Sequence, residues 1–256
     1  MRADQLLVER GLAASRSQAQ RLIASGLRWR LPGAGEGAWH RVAKNGDEVP
    51  VHAELVLADP GEVRFVSRGG LKLEAALQHT GIDVSNAVCL DVGQSTGGFT
   101  DCLLQRGATQ VVGVDVGQGQ LHDRLRHHPR VVAIEKCNAR ELSSDRLLAM
   151  GGPQAIGPFD CVVGDVSFIS QILIWPALLP LLKPGGHLLM LVKPQFELQP
   201  EYIGKGGLVK DAASYTLVKQ RIHQASQAMG LTWKDYFESA ITGGDGNREF
   251  FVWACP

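Results

Sequence analysis

Residues 88–101, Val-Cys-Leu-Asp-Val-Gly-Gln-Ser-Thr-Gly-Gly-Phe-Thr-Asp, run from an apolar stretch through the carboxylate of Asp91 into a glycine-rich turn and a helical pattern. Gly93 permits a sharp turn after a buried strand. Gly97 and Gly98 lack the Cβ atoms that would hold a ligand away from the amides opening the helix. The spacing is Asp-x-Gly-x-x-x-Gly-Gly, which differs from the dinucleotide pattern Gly-x-Gly-x-x-Gly, and no Gly-Lys-Ser/Thr follows as in a phosphate loop. A second apolar run, Gln110-Val-Val-Gly-Val, ends on Asp115, a carboxylate placed to accept hydrogen bonds from two ribose hydroxyls. An acid at the first strand end repels a pyrophosphate but suits a sulfonium. These residues imply a site for S-adenosyl-L-methionine, with an ordinary glycine-rich strand-to-helix turn as the alternative.

Such a site needs a sheet beneath it. From about residue 70, helical patterns alternate with apolar runs near 88–92, 110–116, 130–135, 159–165 and 186–193, which implies a parallel sheet with helices on both faces. Trp233–Ile241 and Arg248–Ala254, joined by Thr242–Asn247, read as a closing antiparallel hairpin. Ahead of residue 60 the pattern changes. Leu6, Leu7, Leu12, Ala19, Leu22 and Ile23 recur at helical spacing in two short helices, broken at Gly11 and ended at Gly26, with Ser15 or Ser17 as a cap for the second. Asn45-Gly46 reads as a hairpin turn before an alternating run from Glu48 to Leu57, and Asp59-Pro60-Gly61 marks a boundary.

The 256 residues carry 26 basic and 26 acidic side chains, so the whole-chain balance marks no nucleic-acid binder. The distribution is uneven: the first thirty residues hold six arginines against two acids, a local charge of plus four. The five cysteines are odd in number, form no Cys-x-x-Cys pair and fall in apolar runs, which suits a reducing cytosol. The N-terminal residues lack the apolar core of a signal peptide. The longest apolar run, Ile172–Leu182, contains two prolines, so no membrane span is expected. His127-His128 and the other histidines have no metal-ligand spacing, and no metal is expected.

Six segments then carry a resemblance: Arg2-Ala-Asp-Gln-Leu-Leu-Val-Glu-Arg-Gly-Leu, Ser67-Arg-Gly-Gly-Leu-Lys72-Leu, Leu90-Asp-Val-Gly, Asp165-Val-Ser-Phe, Val192-Lys193-Pro-Gln-Phe-Glu and Gly246-Asn-Arg-Glu249-Phe. In this order they resemble the TlyA family, an S4 RNA-binding domain joined to an FtsJ-like methyltransferase domain. The resemblance implies an α/β fold: a Rossmann-like class I methyltransferase sheet, mostly parallel with an antiparallel C-terminal hairpin, in residues 61–256. A small α+β S4-like domain would occupy residues 1–60. It also implies S-adenosylmethionine-dependent ribose 2′-O-methylation of ribosomal RNA, free or in a ribosomal subunit; a cytoplasmic monomer is expected besides.

In FtsJ-like enzymes the reaction rests on a Lys-Asp-Lys-Glu set, and the matching positions are Lys72, Asp165, Lys193 and Glu249. A ribose hydroxyl is a weak nucleophile, so a base must take its proton as the oxygen attacks the methyl group. Lys193 is the candidate base, and burial beside a second cation such as Lys72 favours the neutral amine. Asp165 would orient the lysine and face the sulfonium, and Glu249 would hold a lysine ammonium or the ribose. Singly, Lys72 reads as a solvated helix-start charge, Asp165 as a strand-end cap and Glu249 as an exposed hairpin residue; the four together point to the reaction.

By the same match, Ser95, Gly97 and Gly98 would meet the methionine end of the cofactor, Asp115 its ribose and Asn138 its adenine, although Asn138 also reads as a turn residue. Arg16, Arg21, Arg28 and Arg30 would touch RNA phosphates, as would Lys205 and Lys210 in the glycine-rich loop 202–211, which otherwise reads as a mobile surface loop. The chain departs from the family at Gln94, where a small alanine is usual, and in the longer, glycine-rich segment Leu31–His40. Two rival readings are a hemolysin-like membrane-active protein, since some family members bear that label, and a non-catalytic RNA-binding protein on a methyltransferase scaffold.

Overall fold

A computed structural model describes residues 1–13, 16–57, 64–155, 157–244 and 246–256, without the side chains of residues 17, 21 and 36. The expected cap at Ser15 or Ser17, the Arg21 side chain and the boundary at Asp59-Pro60-Gly61 lie outside the described residues. The chain divides into two compact units, Met1–Arg68 and Gly69–Pro256.

In the first unit, helices Ala3–Glu9 and Arg16–Gly26 cover a three-stranded sheet of β1 (Leu27–Arg30), β2 (His40–Arg41) and β3 (Glu54–Leu57). β1 is central and antiparallel to both neighbours. The helical repeat of apolar residues becomes the core: Ala3, Leu6, Leu7, Ala19, Leu22 and Ile23 close on Leu27 of β1. The run from Glu48 to Leu57 is not one strand. Glu48 makes an isolated bridge with Arg2, Pro50 has no N–H to donate, and its carbonyl accepts the Ala53 N–H in a turn before β3 begins. The Asn45-Gly46 turn accordingly joins no pair of adjacent strands, because β2 and β3 lie on opposite sides of β1.

The second unit is a seven-stranded sheet in the order β6-β5-β4-β7-β8-β10-β9. The strands are β4 (Val88–Val92), β5 (Gln110–Val114), β6 (Val131–Ile134), β7 (Phe159–Gly164), β8 (Leu182–Val192), β9 (Thr232–Glu238) and β10 (Phe250–Cys255). β4 to β8 run parallel, while β10 is antiparallel to both β8 and β9. Central strands covered on both faces read as continuous apolar runs, and the interiors of β4, β5, β7 and β8 are buried accordingly. One apolar cluster centred on Leu90, Val162, Trp175, Leu188 and Val252 fixes the sheet against its helices.

This topology decides where the polar side chains go. Gly93, Asp115, Asp165 and Lys193 each follow the last residue of a parallel strand, so all four stand along one edge of the sheet, the edge at which such folds bind ligands. β10 runs the other way, so its N-terminal end reaches that edge: Phe250 pairs with Val192, which puts Glu249 beside Lys193.

Candidate active site

The turn after β4 is held by chain-to-chain contact. Gly93 has φ +83°, and a Cβ there would lie 2.8 Å from the Asp165 carbonyl oxygen. At Gly97, φ +93°, a Cβ would lie 2.3 Å from a methyl of Leu125. Both positions therefore demand glycine for their left-handed backbone, and at Gly93 the neighbouring main chain leaves no room for a side chain as well. The space at Gly97 is taken by leucine, where the sequence had suggested an approach path for a ligand. Neither Gly97 nor the buried Gly98 lines the adjoining cavity.

Asp91 also lies below the turn, away from the cavity wall. It is fully buried, and one oxygen accepts the Thr100 hydroxyl at 2.7 Å while the other has no hydrogen-bond partner among the described residues. Burial pushes its carboxyl up to about 7, against the opposing pull of the Thr100 hydrogen bond. Thr100 in turn accepts the Gln94 side-chain N–H at 2.9 Å. Gln94, the departure noted in the sequence, lies flat over Gly113 of β5, where a Cβ would come within 1.9 Å of its amide nitrogen. It too stays off the cavity wall.

The cavity above this turn has a volume of about 420 Å³, within the range of small-molecule sites. Its wall includes Gly93, Ser95, Asp115, Asn138 and Asp165, with Val116, Ile169 and Ile174 as an apolar side. Asp115 is oriented by the main chain: its two oxygens accept the Ser95 N–H at 2.7 Å and the Gly117 N–H at 2.6 Å. Asn138 is both a cavity residue and a turn residue. It lines the cavity, and its Oδ1 accepts the Arg140 N–H to cap a short 3₁₀ turn.

Asp165 connects this cavity to a cluster of charges. Its Oδ1 lies 2.6 Å from Lys193 Nζ and its Oδ2 lies 4.0 Å from Lys72 Nζ. Lys72, buried on helix Gly69–Thr80, donates to Glu249 Oε2 at 2.5 Å. Burial raises the Glu249 carboxyl above the usual range, and the Lys72 ammonium opposes that rise. The four residues named from distant segments thus form one contiguous set, with both lysines on the same carboxylate.

Lys193 also donates to the Ser167 hydroxyl at 2.7 Å, and its segment is fastened to the one after Asp165 at two more points. Phe196 packs on Phe168 with ring centroids 5.0 Å apart, and buried Glu197 accepts the Ser170 hydroxyl and the Gln171 N–H. Phe168 is 90% exposed at the cavity rim with φ +63°. A large apolar side chain held outward on a left-handed backbone makes Phe168 a candidate functional position. Phe168 stands in the motif Asp165-Val-Ser-Phe, which is the one sequence signal for it, since nothing local predicts the exposure.

The candidate phosphate contacts divide. Arg16, Arg28 and Lys205 are exposed. Arg30 is engaged by Glu54 at 2.5 Å and by the face of Trp39, and Lys210 donates to the Glu201 carbonyl at 2.9 Å. Among the described residues, no group of three His, Cys, Asp or Glu side chains suits a metal ion, and no helix is long and apolar enough to cross a membrane.

Comparison with known proteins bears on this arrangement. The profile of FtsJ-like methyltransferases matches residues 65–255. The chain is 40% identical to the 16S/23S rRNA (cytidine-2′-O)-methyltransferase TlyA of Mycobacterium tuberculosis, over 98% of this chain and 88% of that protein. It is 35% identical to a Brachyspira hyodysenteriae protein named Hemolysin A, over 98% of each. A solved structure from Streptococcus thermophilus, also bearing a hemolysin name, superposes with TM-score 0.74 at 38% identity, covering all of this chain and 88% of that one.

Proposed function

The chain belongs to the FtsJ-like methyltransferase family, and from that premise we propose that it transfers a methyl group from S-adenosylmethionine to a ribose 2′-hydroxyl of ribosomal RNA. The observation that carries the reading is the meeting of Lys72, Lys193 and Glu249 around Asp165, which is itself part of the cavity wall.

The cavity suits the cofactor. Asp115 keeps acceptor capacity for ribose hydroxyls because each oxygen receives one amide and retains a further lone pair. The apolar side formed by Val116, Ile169 and Ile174 suits an adenine face, with Asn138 beside it, and Asp165 offers negative charge to a sulfonium. When bound, the cofactor supplies an electrophilic methyl group.

The chain's own residues do the rest. Lys193 accepts the proton of the attacking hydroxyl, and Asp165 stabilises the ammonium that results. Glu249 holds Lys72 on the other side of that carboxylate, so the second cation stays at a fixed distance. Phe168 offers a stacking face to the base of the target nucleotide. Lys205, Arg16 and Arg28 supply exposed charge for phosphates, with residues 1–60 acting as an S4-like RNA-binding domain and 61–256 as the catalytic one. The ribosomal substrate implies work in the cytoplasm.

The test is a map of methyl-protected 2′ positions on ribosomal RNA from cells with and without the protein. A position protected only when the protein is present supports the reading, and identical maps overturn it. Release of dye from liposomes by purified protein that fails to bind S-adenosylmethionine would favour the hemolysin name instead.

A further inference from the structure

The motif Gly246-Asn-Arg-Glu249 contains a second buried polar residue besides the glutamate. Asn247 is 2% exposed, and a side-chain amide so buried must find hydrogen-bond partners. Two of them lie in the glycine-rich loop: Asn247 Oδ1 accepts the Val209 N–H at 3.0 Å, and Nδ2 donates to the Gly207 carbonyl at 2.9 Å. The loop is closed on itself by the Ile203–Val209 bridge and the Gly204 N–H to Leu208 carbonyl bond, which leaves Lys205 exposed on a small lobe. Asn247 itself belongs to a well-bonded segment: its carbonyl accepts the Gly243 N–H, and the Glu249 carbonyl accepts the Ser239 N–H.

One side chain therefore ties a lysine-bearing lobe to the segment whose next residue but one holds Lys72. We propose that Asn247 is a positioning residue for the nucleic acid: it docks the 202–211 lobe beside the transfer cluster, so that Lys205 holds the RNA backbone at a set distance from Lys193. This role rests on the reading of the chain as an RNA methyltransferase. It makes the lobe a fixed part of the substrate surface, in contrast to the mobile loop that its glycines suggest.

The experiment uses the full chain, S-adenosylmethionine and ribosomal subunits purified from cells lacking the protein. Asn247→Ala removes both side-chain bonds to the lobe. The KM for subunits should rise about tenfold, a loss of about 1.4 kcal/mol and so the scale of one or two hydrogen bonds. Both kcat at saturating subunits and the Kd for S-adenosylmethionine should stay within a few-fold, while amide exchange of residues 204–209 accelerates and that of the sheet does not. If Asn247→Ala does not fold, Val209→Pro deletes the same N–H from the loop side of the contact and should raise the same KM.

An unchanged KM despite faster exchange in the lobe overturns the proposal. So does an equal loss of subunit and cofactor affinity, which would mark a general structural role. Absence of turnover by the unaltered protein would instead remove the methyl-transfer reading beneath it.

Discussion

The β4–β5 side and the β7–β8–β10 side of the sheet present polar groups along the same edge, but by different means. On the first side, the turn of residues 91–98 and Asp115 come from one short stretch of chain, and main-chain amides orient the carboxylate that faces the cavity. On the second, Lys72, Asp165, Lys193 and Glu249 come from four segments and orient one another through charge. A carboxylate held by amides keeps its place when a distant residue changes. A charge held by other charges does not, because removing one leaves its partners uncompensated in a site where desolvation is costly. The first side is therefore suited to a constant ligand and the second to a proton that must move.

Lys193→Ala gives the largest separation of the two sides. Turnover should fall by about 10²- to 10⁴-fold, the usual worth of a general base, while S-adenosylmethionine affinity measured by calorimetry stays within a few-fold. If affinity falls by a comparable factor, the two sides are one unit and the comparison fails.

Asp115→Ala tests the converse. Hydrogen bonds to a charged group contribute about 1.5–3 kcal/mol each, so cofactor affinity should drop tenfold or more. The transfer rate at saturating cofactor should be largely kept, and single-turnover kinetics at high S-adenosylmethionine would show it.

Asp91→Asn should affect transfer least and sharpen the comparison through pH. Burial raises the Asp91 carboxyl to about 7 from a model-peptide value near 3.9, so between about pH 4 and 7 the folded state binds more protons than the unfolded one. Its stabilising contribution is complete below that window and is lost as pH rises through it. The replacement keeps the hydrogen bond, because an asparagine oxygen can still accept from Thr100. Thermal unfolding from pH 4 to 8 should show a decline for the unaltered protein that flattens in the variant. Parallel curves would mean that Asp91 carries its charge throughout.

The legible part of the sequence was the part in which cause and effect are neighbours. The strand–turn–helix at 88–101 and the carboxylate of Asp115 were visible because an apolar run, glycines and acids stand in order within one stretch. What fills the space at Gly97 was not visible, since Leu121 and Leu125 reach the turn only after the chain has crossed β5. The room for Gln94, where the family has a small residue, was hidden for the same reason: it lies at Gly113 on the neighbouring strand. The four charged residues were found by their motifs, and Phe168 and Asn247 passed through the same motifs unassigned, because exposure of the one and burial of the other are set by segments remote in the chain.

By itself, the sequence determined the alternation of buried strands and helices and the acid-flanked glycine turn. Hydrophobic periodicity and backbone freedom are local properties that any fold must obey. Tertiary structure alone decided that the charges meet. Parallel strands deliver Asp165 and Lys193 to one edge, and β10, inserted antiparallel between β8 and β9, brings its opposite end there with Glu249. Strand direction and order are properties of pairing across the sheet, and no stretch of residues encodes them on its own.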